Sequence, residues 1–315
     1  MHIRHGTSVL LATIGAAAAV GFAFAAHARP APAGAPATTS PAFATAAPSQ
    51  EAYVVVPGAF VPDAAVTARV HDLLGAGSAQ GLNPHAFIKL GDSISADCDT
   101  YCGLARAAWS GYDAYRDGVR WFCSEPFDSC SHRSAATVPG GGVTFPFLPR
   151  ACRLPDCRPG ETPLDHEQRV AKPAFALIEY GTNDWYWCDL QLACFRRGML
   201  RLVSALEARH VVPVLITVPG SPAVEEHDRW ASEVNEEIRR IAAERRLPLI
   251  DLSVALRSTT GPRTAYLPDG THLTTCGRGP SVFTLDCLRA GNNVRDLVIA
   301  ASLANLARLA SGRLP

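Results

Sequence analysis

The sequence predicts an α/β protein: a three-layer α/β/α domain built around a central, mostly parallel, five-stranded sheet. Three observations carry this expectation. Short apolar runs rich in β-branched residues occur five times, and they read as near-continuous apolar stretches, as suits strands covered on both faces. Amphipathic helical patterns lie between or around these runs. Strand and helix in alternation imply crossover connections, which set parallel strands side by side with helices on both sides.

The expected strands are Phe87–Leu90, Val119–Phe122, Phe175–Glu179, Val211–Val218 and Leu249–Leu252. Helices are expected at 63–74, 195–209, 228–246 and 293–312. In the second of these, Phe195, Met199, Leu202 and Leu206 recur at steps of 4, 3 and 4. In the third, Trp230, Val234, Ile238 and Ile241 recur at 4, 4 and 3, with Glu and Arg on the other face. The stretch near 123–170 is rich in Cys, Pro and Gly and too long for a plain connection, so it reads as a stapled or functional insertion.

With 315 residues, 48% of them hydrophobic, the chain can bury a sizeable core. Lys+Arg and Asp+Glu both number 29 and no basic tract appears, which argues against nucleic acid as a partner. Residues 1–28 read as a signal peptide: Arg4 precedes an uncharged, Ala-rich run, and Ala26-His27-Ala28 matches the small-x-small cleavage pattern. Cleavage after Ala28 would release a secreted, periplasmic or cell-surface protein with no stable membrane insertion; retention as an anchor is the alternative. Residues 29–52, dominated by Ala, Pro, Thr and Ser, read as a disordered tether. The folded domain is then 53–315.

All 10 cysteines lie beyond the tether. An even number in an exported chain favours disulfides over metal, and no CxxC spacing supports zinc. The simplest pairing joins near neighbours, Cys98/Cys102, Cys123/Cys130, Cys152/Cys157, Cys188/Cys194 and Cys276/Cys287, although spacing alone does not fix connectivity. A Cys98–Cys102 bond is too tight for a regular helix at that point.

Open parallel sheets bind ligands at the carboxyl ends of their strands. Three reactive blocks fall there. Gly91-Asp92-Ser93-Ile94 follows the first strand, Gly181-Thr182-Asn183-Asp184 follows the third, and Asp269-Gly270-Thr271-His272 lies beyond the fifth. Each block alone has a plainer reading: Asp and Ser cap helices, Asn-Asp and Asp-Gly make turns, and a histidine after a turn is an ordinary surface residue. Together they supply what acyl transfer needs. A serine hydroxyl requires a base, the base requires a carboxylate to orient it, and the oxyanion requires donors. There is no nucleotide-binding glycine loop and no G-x-S-x-G elbow.

In this order the three blocks resemble blocks I, III and V of the SGNH/GDSL hydrolases, secreted bacterial type, over roughly residues 85–312. The resemblance implies a flavodoxin-like sheet and a secreted esterase or lipase, with Ser93 as nucleophile and His272 as base held by Asp269. It implies an oxyanion hole made by the Ser93 N–H, the Asn183 side chain and a block II glycine. Gly140 in "VPGGG" is the choice for that glycine, with Gly141, Gly142 and Gly111 as alternatives. It implies neither metal nor organic cofactor, and a small-molecule, glycan or lipid ester as substrate. Acyl transfer, thioester cleavage, and a silent carbohydrate-binding or surface protein are the competing functions.

Trp185, Tyr186 and Trp187 follow Asn183 directly and are either packing residues or an aromatic substrate wall, for which Trp185 and Trp187 are the candidates. Thr182 and Asp184 are expected to support their loop, and Asn292 and Asn293 to start a helix and nothing more. Each expected disulfide flanks one of the active-site loops or the block II region, and bonds closing loops this short stabilise by roughly 2–3 kcal/mol each. Mild reduction should therefore lower turnover before global unfolding, measured by activity and circular dichroism on the same sample. Unchanged turnover in reduced, folded protein removes this expectation.

Overall fold

A computed structural model describes residues 55–96, 101–124, 126–220, 222–259 and 264–312. The expected signal peptide and tether lie outside the described residues. Four strands form one sheet: β1 (Asn83–Gly91), β2 (Pro173–Glu179), β3 (Val212–Ile216) and β4 (Leu249–Ile250). Their spatial order follows the chain and every pairing is parallel.

Alternate residues of each strand feed two separate cores, which is the period-2 consequence of covering both faces. Phe87, Phe175, Leu177, Val214 and Ile216 join one core with helices α1 (Ala64–Ala79), α3 (Arg116–Phe122), α8 (Leu252–Thr259) and α9 (Gly291–Ser311). Ile88, Leu90, Ala176, Ile178 and Leu215 join the other with α4 (Pro163–Ala171), α6 (Leu192–Glu207) and α7 (Glu225–Arg245). The three layers are as expected. Local chemistry sets several helix ends. Asp63 caps α1 by accepting the Val66 N–H, Thr162 caps α4 ahead of Pro163, and Gly312 closes α9 at a φ of +67°.

One expected strand is a helix. Val119–Phe122 forms the end of α3, where Tyr115, Val119 and Phe122 are buried at spacings of 4 and 3, a helical period. A four-residue window, Val119-Arg120-Trp121-Phe122, does not distinguish the two periods. The helix crosses α9 at close range, since a Cβ on Gly118 would lie 2.2 Å from Ala304 Cα.

The sheet accordingly has four strands where five were expected. On the outer edge of β1 a single parallel bridge joins Gly91 to Thr137, with Gly91 N–H donating to Ala136 O and Val138 N–H to Gly91 O. Farther back, two serine hydroxyls engage the same edge. Ser129 Oγ accepts from Phe87 N–H at 2.9 Å, and Ser134 Oγ donates to Lys89 O at 2.7 Å.

Four of the expected disulfides are present: Cys123–Cys130, Cys152–Cys157, Cys188–Cys194 and Cys276–Cys287. Cys98 lies outside the described residues. Cys102 is disulfide-bonded, and Tyr101 before it sits at a φ of +67°, off the helical path as expected. Because α3 and α9 meet backbone to backbone at Gly118 and Ala304, Gly118→Val should destabilise by roughly 1–3 kcal/mol or more. Urea denaturation reads this; a wild-type midpoint would remove the close-packing account.

Candidate active site

Gly91 ends β1 where no side chain fits. A Cβ there would meet Ser95 Oγ at 2.4 Å, so the chain folds back tightly into the short helix α2 (Ser93–Ala96). Asp92, wholly buried, acts as the cap, its Oδ1 accepting the Ile94 N–H at 3.0 Å. Capping is thus done by the aspartate, and Ser93 Oγ turns to His272 Nε2, 3.1 Å away.

The other partners come from the loop after α8. Asp269 Oδ1 accepts the N–H groups of Thr271 and His272, both at 2.9 Å, which folds the block into a tight turn. Its Oδ2 lies 2.8 Å from His272 Nδ1. With the Nδ1 proton committed to Asp269, Nε2 is left to accept from the serine hydroxyl. Gly270 sits at a φ of +73° with Ala223 packed where a side chain would be, so only glycine makes this turn.

Asn183 ends the segment after β2. It occupies the N-cap position of α5 (Asp184–Trp187), yet its side chain makes no cap hydrogen bond, and its Nδ2 is buried without a partner among the described residues. A plain cap would have turned its Oδ1 to a backbone N–H of the first turn, which this side chain does not do. Thr182 Oγ1 is likewise buried and unpartnered, so it does not brace the loop by hydrogen bonding, whereas Asp184 Oδ1 does, accepting Val143 N–H at 3.1 Å.

Gly140 follows the Gly91–Thr137 bridge directly. It is exposed, takes a φ of +71°, and its N–H makes no backbone hydrogen bond among the described residues. Of the alternatives, Gly141 N–H is spent on Val138 O, and Gly142 is pressed against Asp184 and Trp187. Gly111 lines a cleft with Tyr112 and Phe283 whose walls include none of Ser93, Asn183 or His272. Trp185 packs on His227 with ring centroids 4.4 Å apart, while Tyr186 and Trp187 are exposed.

Sequence reasoning missed the role of α9. Asn292 and Asn293 do more than start that helix. Asn292 Nδ2 donates to Leu273 O, next to His272. Asn293 Oδ1 accepts the Cys276 N–H, and its Nδ2 donates to Gly279 O and Val282 O. One turn on, the buried Arg295 donates to Ile94 O at 2.6 Å and pairs with Glu179. Asp296 accepts Tyr101 N–H and Ser281 Oγ–H. The signal was an adjacent Arg-Asp pair near the start of a helix whose next five residues, Leu297–Ala301, are all apolar.

A model of the GDSL-like lipase/acylhydrolase family matches residues 90–278. Among solved structures, the chain is similar to a lipase/acylhydrolase from Enterococcus faecalis at 20% identity and a TM-score of 0.39, covering 59% of this chain and 86% of that one. It is similar to a psychrotrophic esterase from Pseudoalteromonas sp. at 16% identity and 0.40, covering 60% and 87%. A catalytic mutant of an acetylxylan esterase from Geobacillus stearothermophilus matches at 14% and 0.41, covering 69% and 93%. A search of curated proteins finds no match.

The electrostatics around Ser93 are set by burial. Loss of solvent pushes the Asp92 carboxyl up to about 7; the charges of Glu179 and Asp184 add to this, and the Ile94 N–H and Arg295 oppose it. Burial likewise lifts Asp184 to about 7, against the Val143 N–H. At Asp269, partial desolvation raises the pKa, but the N–H groups of Thr271 and His272 and the imidazole outweigh it and hold the carboxyl below its usual value. A carboxyl whose folded pKa is raised contributes most below its unfolded value of 3.8, and that contribution is lost as pH rises toward about 7. Asp92→Asn keeps an acceptor for the Ile94 N–H and removes the titration. Its stability relative to wild type should rise between about pH 4.5 and about pH 7.5 in urea unfolding. A flat difference over that window would count against the buried-acid account.

Proposed function

The chain belongs to the GDSL-like lipase/acylhydrolase family, and from that premise we propose that it hydrolyses carboxylic esters through an acyl-enzyme formed on Ser93. The observation that carries this reading is the unbroken row of Ser93 Oγ, His272 and Asp269, at 3.1 and 2.8 Å. His272 takes the hydroxyl proton as Oγ attacks the ester carbonyl, and returns it to the departing alkoxide. Asp269 holds the ring in the tautomer that leaves Nε2 free and stabilises the cation that forms. Water then attacks the acyl-enzyme with the same histidine as base, releasing the acid and restoring Ser93.

The tetrahedral oxyanion is held by the Ser93 and Gly140 N–H groups and the Asn183 amide. A buried, unspent donor at Asn183 is the arrangement such a role needs, because its reorganisation cost is met in folding. The His272 and Asp269 side chains are 45% and 50% exposed, so the site is open to bulk water, the acceptor that hydrolysis needs. The intact row argues against a silent binding protein. Export is part of the proposal. The disulfides suit an oxidising compartment, and no helix among the described residues is long and apolar enough to cross a membrane.

Ser93→Ala and His272→Ala should abolish turnover of p-nitrophenyl acetate, and a fluorophosphonate should label Ser93 alone. Asn183→Ala should lower kcat by about 10²–10³ without changing the unfolding midpoint. An Asn183→Ala enzyme at wild-type rate would sink the oxyanion assignment, and absence of a Ser93 adduct would sink the acyl-enzyme.

A further inference from the structure

The three aromatic residues after Asn183 do not act alike. Trp187 points its indole N–H at the block II loop, with Nε1 donating to Gly140 O at 2.8 Å. Asp184, three residues earlier on the same face of α5, accepts the Val143 N–H at 3.1 Å. Between these anchors Gly142 lies so close that a Cβ would stand 2.8 Å from Asp184 Oδ1 and 2.9 Å from Trp187 Cδ1. The loop 140–143 therefore rests directly on α5 and is tied to it at both ends.

This bears on Gly140 in particular. Gly140, at positive φ and with an N–H that makes no hydrogen bond among the described residues, is anchored locally only through the next peptide, whose Gly141 N–H donates to Val138 O. Its N–H belongs to the peptide before it and its carbonyl to the peptide after, so a partner holding the carbonyl limits the rotation about which the N–H swings. Asn183 is joined directly to the first residue of α5. One short helix thus carries the side-chain donor on its N-terminus and steadies the backbone donor from its last residue. The Cys188–Cys194 bond follows immediately and ties α5 to α6.

We propose that Trp187 is a positioning residue for oxyanion binding: its indole N–H holds the Gly140 peptide, so that the Asn183 and Gly140 donors move as one unit mounted on α5, with Asp184 fixing the far end of the loop. The proposal rests on the acyl-enzyme reading of the site. It assigns Trp187 a task different from a substrate wall, and kinetics separate the two. A wall binds ground state and transition state alike and shows in KM, whereas a donor that engages only the transition state shows in kcat.

The test is Trp187→Phe in the full chain, which keeps the ring and deletes the N–H, assayed with p-nitrophenyl acetate and p-nitrophenyl butyrate. Expected is a kcat loss of roughly tenfold with both esters, smaller than deletion of a donor outright, and a KM within about twofold of wild type. A boronic acid, as a tetrahedral mimic, should bind more weakly by the same factor. Wild-type kcat, or a raised KM with unchanged kcat, overturns the proposal. If Trp187→Phe does not fold, Gly142→Ala, which wedges the loop from α5, should give the same kcat-selective loss, and its wild-type kinetics would overturn the proposal equally. Wild-type protein that turns over neither ester and takes no fluorophosphonate on Ser93 fails the acyl-enzyme reading itself. An active wild type with an indifferent Trp187→Phe fails only the positioning role.

Discussion

The fully buried guanidinium of Arg295 is the constraint on which the site's geometry depends. Burying an arginine is costly unless its donors are used, and removal of one partner from such a pair costs about 3–5 kcal/mol. Two of its three nitrogens are used on the nucleophile side of the fold, while Nε has no partner among the described residues. One nitrogen donates to Ile94 O, the carbonyl next to Ser93, and another pairs with Glu179, the last residue of β2. The ring of Tyr101 lies 5.5 Å from the guanidinium carbon. Because Arg295 belongs to the same two turns of α9 as Asn292, Asn293 and Asp296, a single rigid helix fixes the Ser93 turn and the segment after His272 together. Two loops distant in sequence share one frame.

A second frame lies on the opposite side of Ser93. Tyr180 Oη donates to Ala136 O at 2.6 Å, and the same carbonyl accepts the Gly91 N–H. The ends of β1 and β2 and the segment leading to Gly140 are thereby knotted at one atom. Trp230 Nε1 donates to Gly181 O, fixing the turn that presents Asn183. Each candidate residue sits at a strand's carboxyl end or on a loop braced from that end, the usual place for chemistry in an open parallel sheet.

Much of this was legible in the sequence because it follows from periodicity and from short motifs with mechanical meaning. The runs at Phe87, Phe175, Val211 and Leu249 became strands, and the 4-3-4 pattern from Phe195 became α6. Ser93, Asp269 and His272, which the fold brings into one hydrogen-bonded row, and Asn183 were all picked out as candidates from block order. What stayed hidden has a common cause. Val119–Phe122 was misread because a four-residue window cannot separate a period of 2 from one of 3.6. Thr137 was invisible because a one-residue bridge has no pattern. Asn292, Asn293 and Trp187 act through hydrogen bonds to backbone carbonyls far along the chain, and nothing in composition or spacing encodes such partners.

The manner in which β1 ends the sheet has a consequence for how the molecule meets its neighbours. A strand beside β1 would offer its own outer ladder to the next chain. The hydroxyls of Ser129 and Ser134 instead occupy the Phe87 N–H and the Lys89 C=O and extend no ladder onward. The opposite border, β4, is two residues long. Both margins are short or partly occupied, which makes them poor templates for strand addition and leaves encounters between copies mainly to side-chain surfaces.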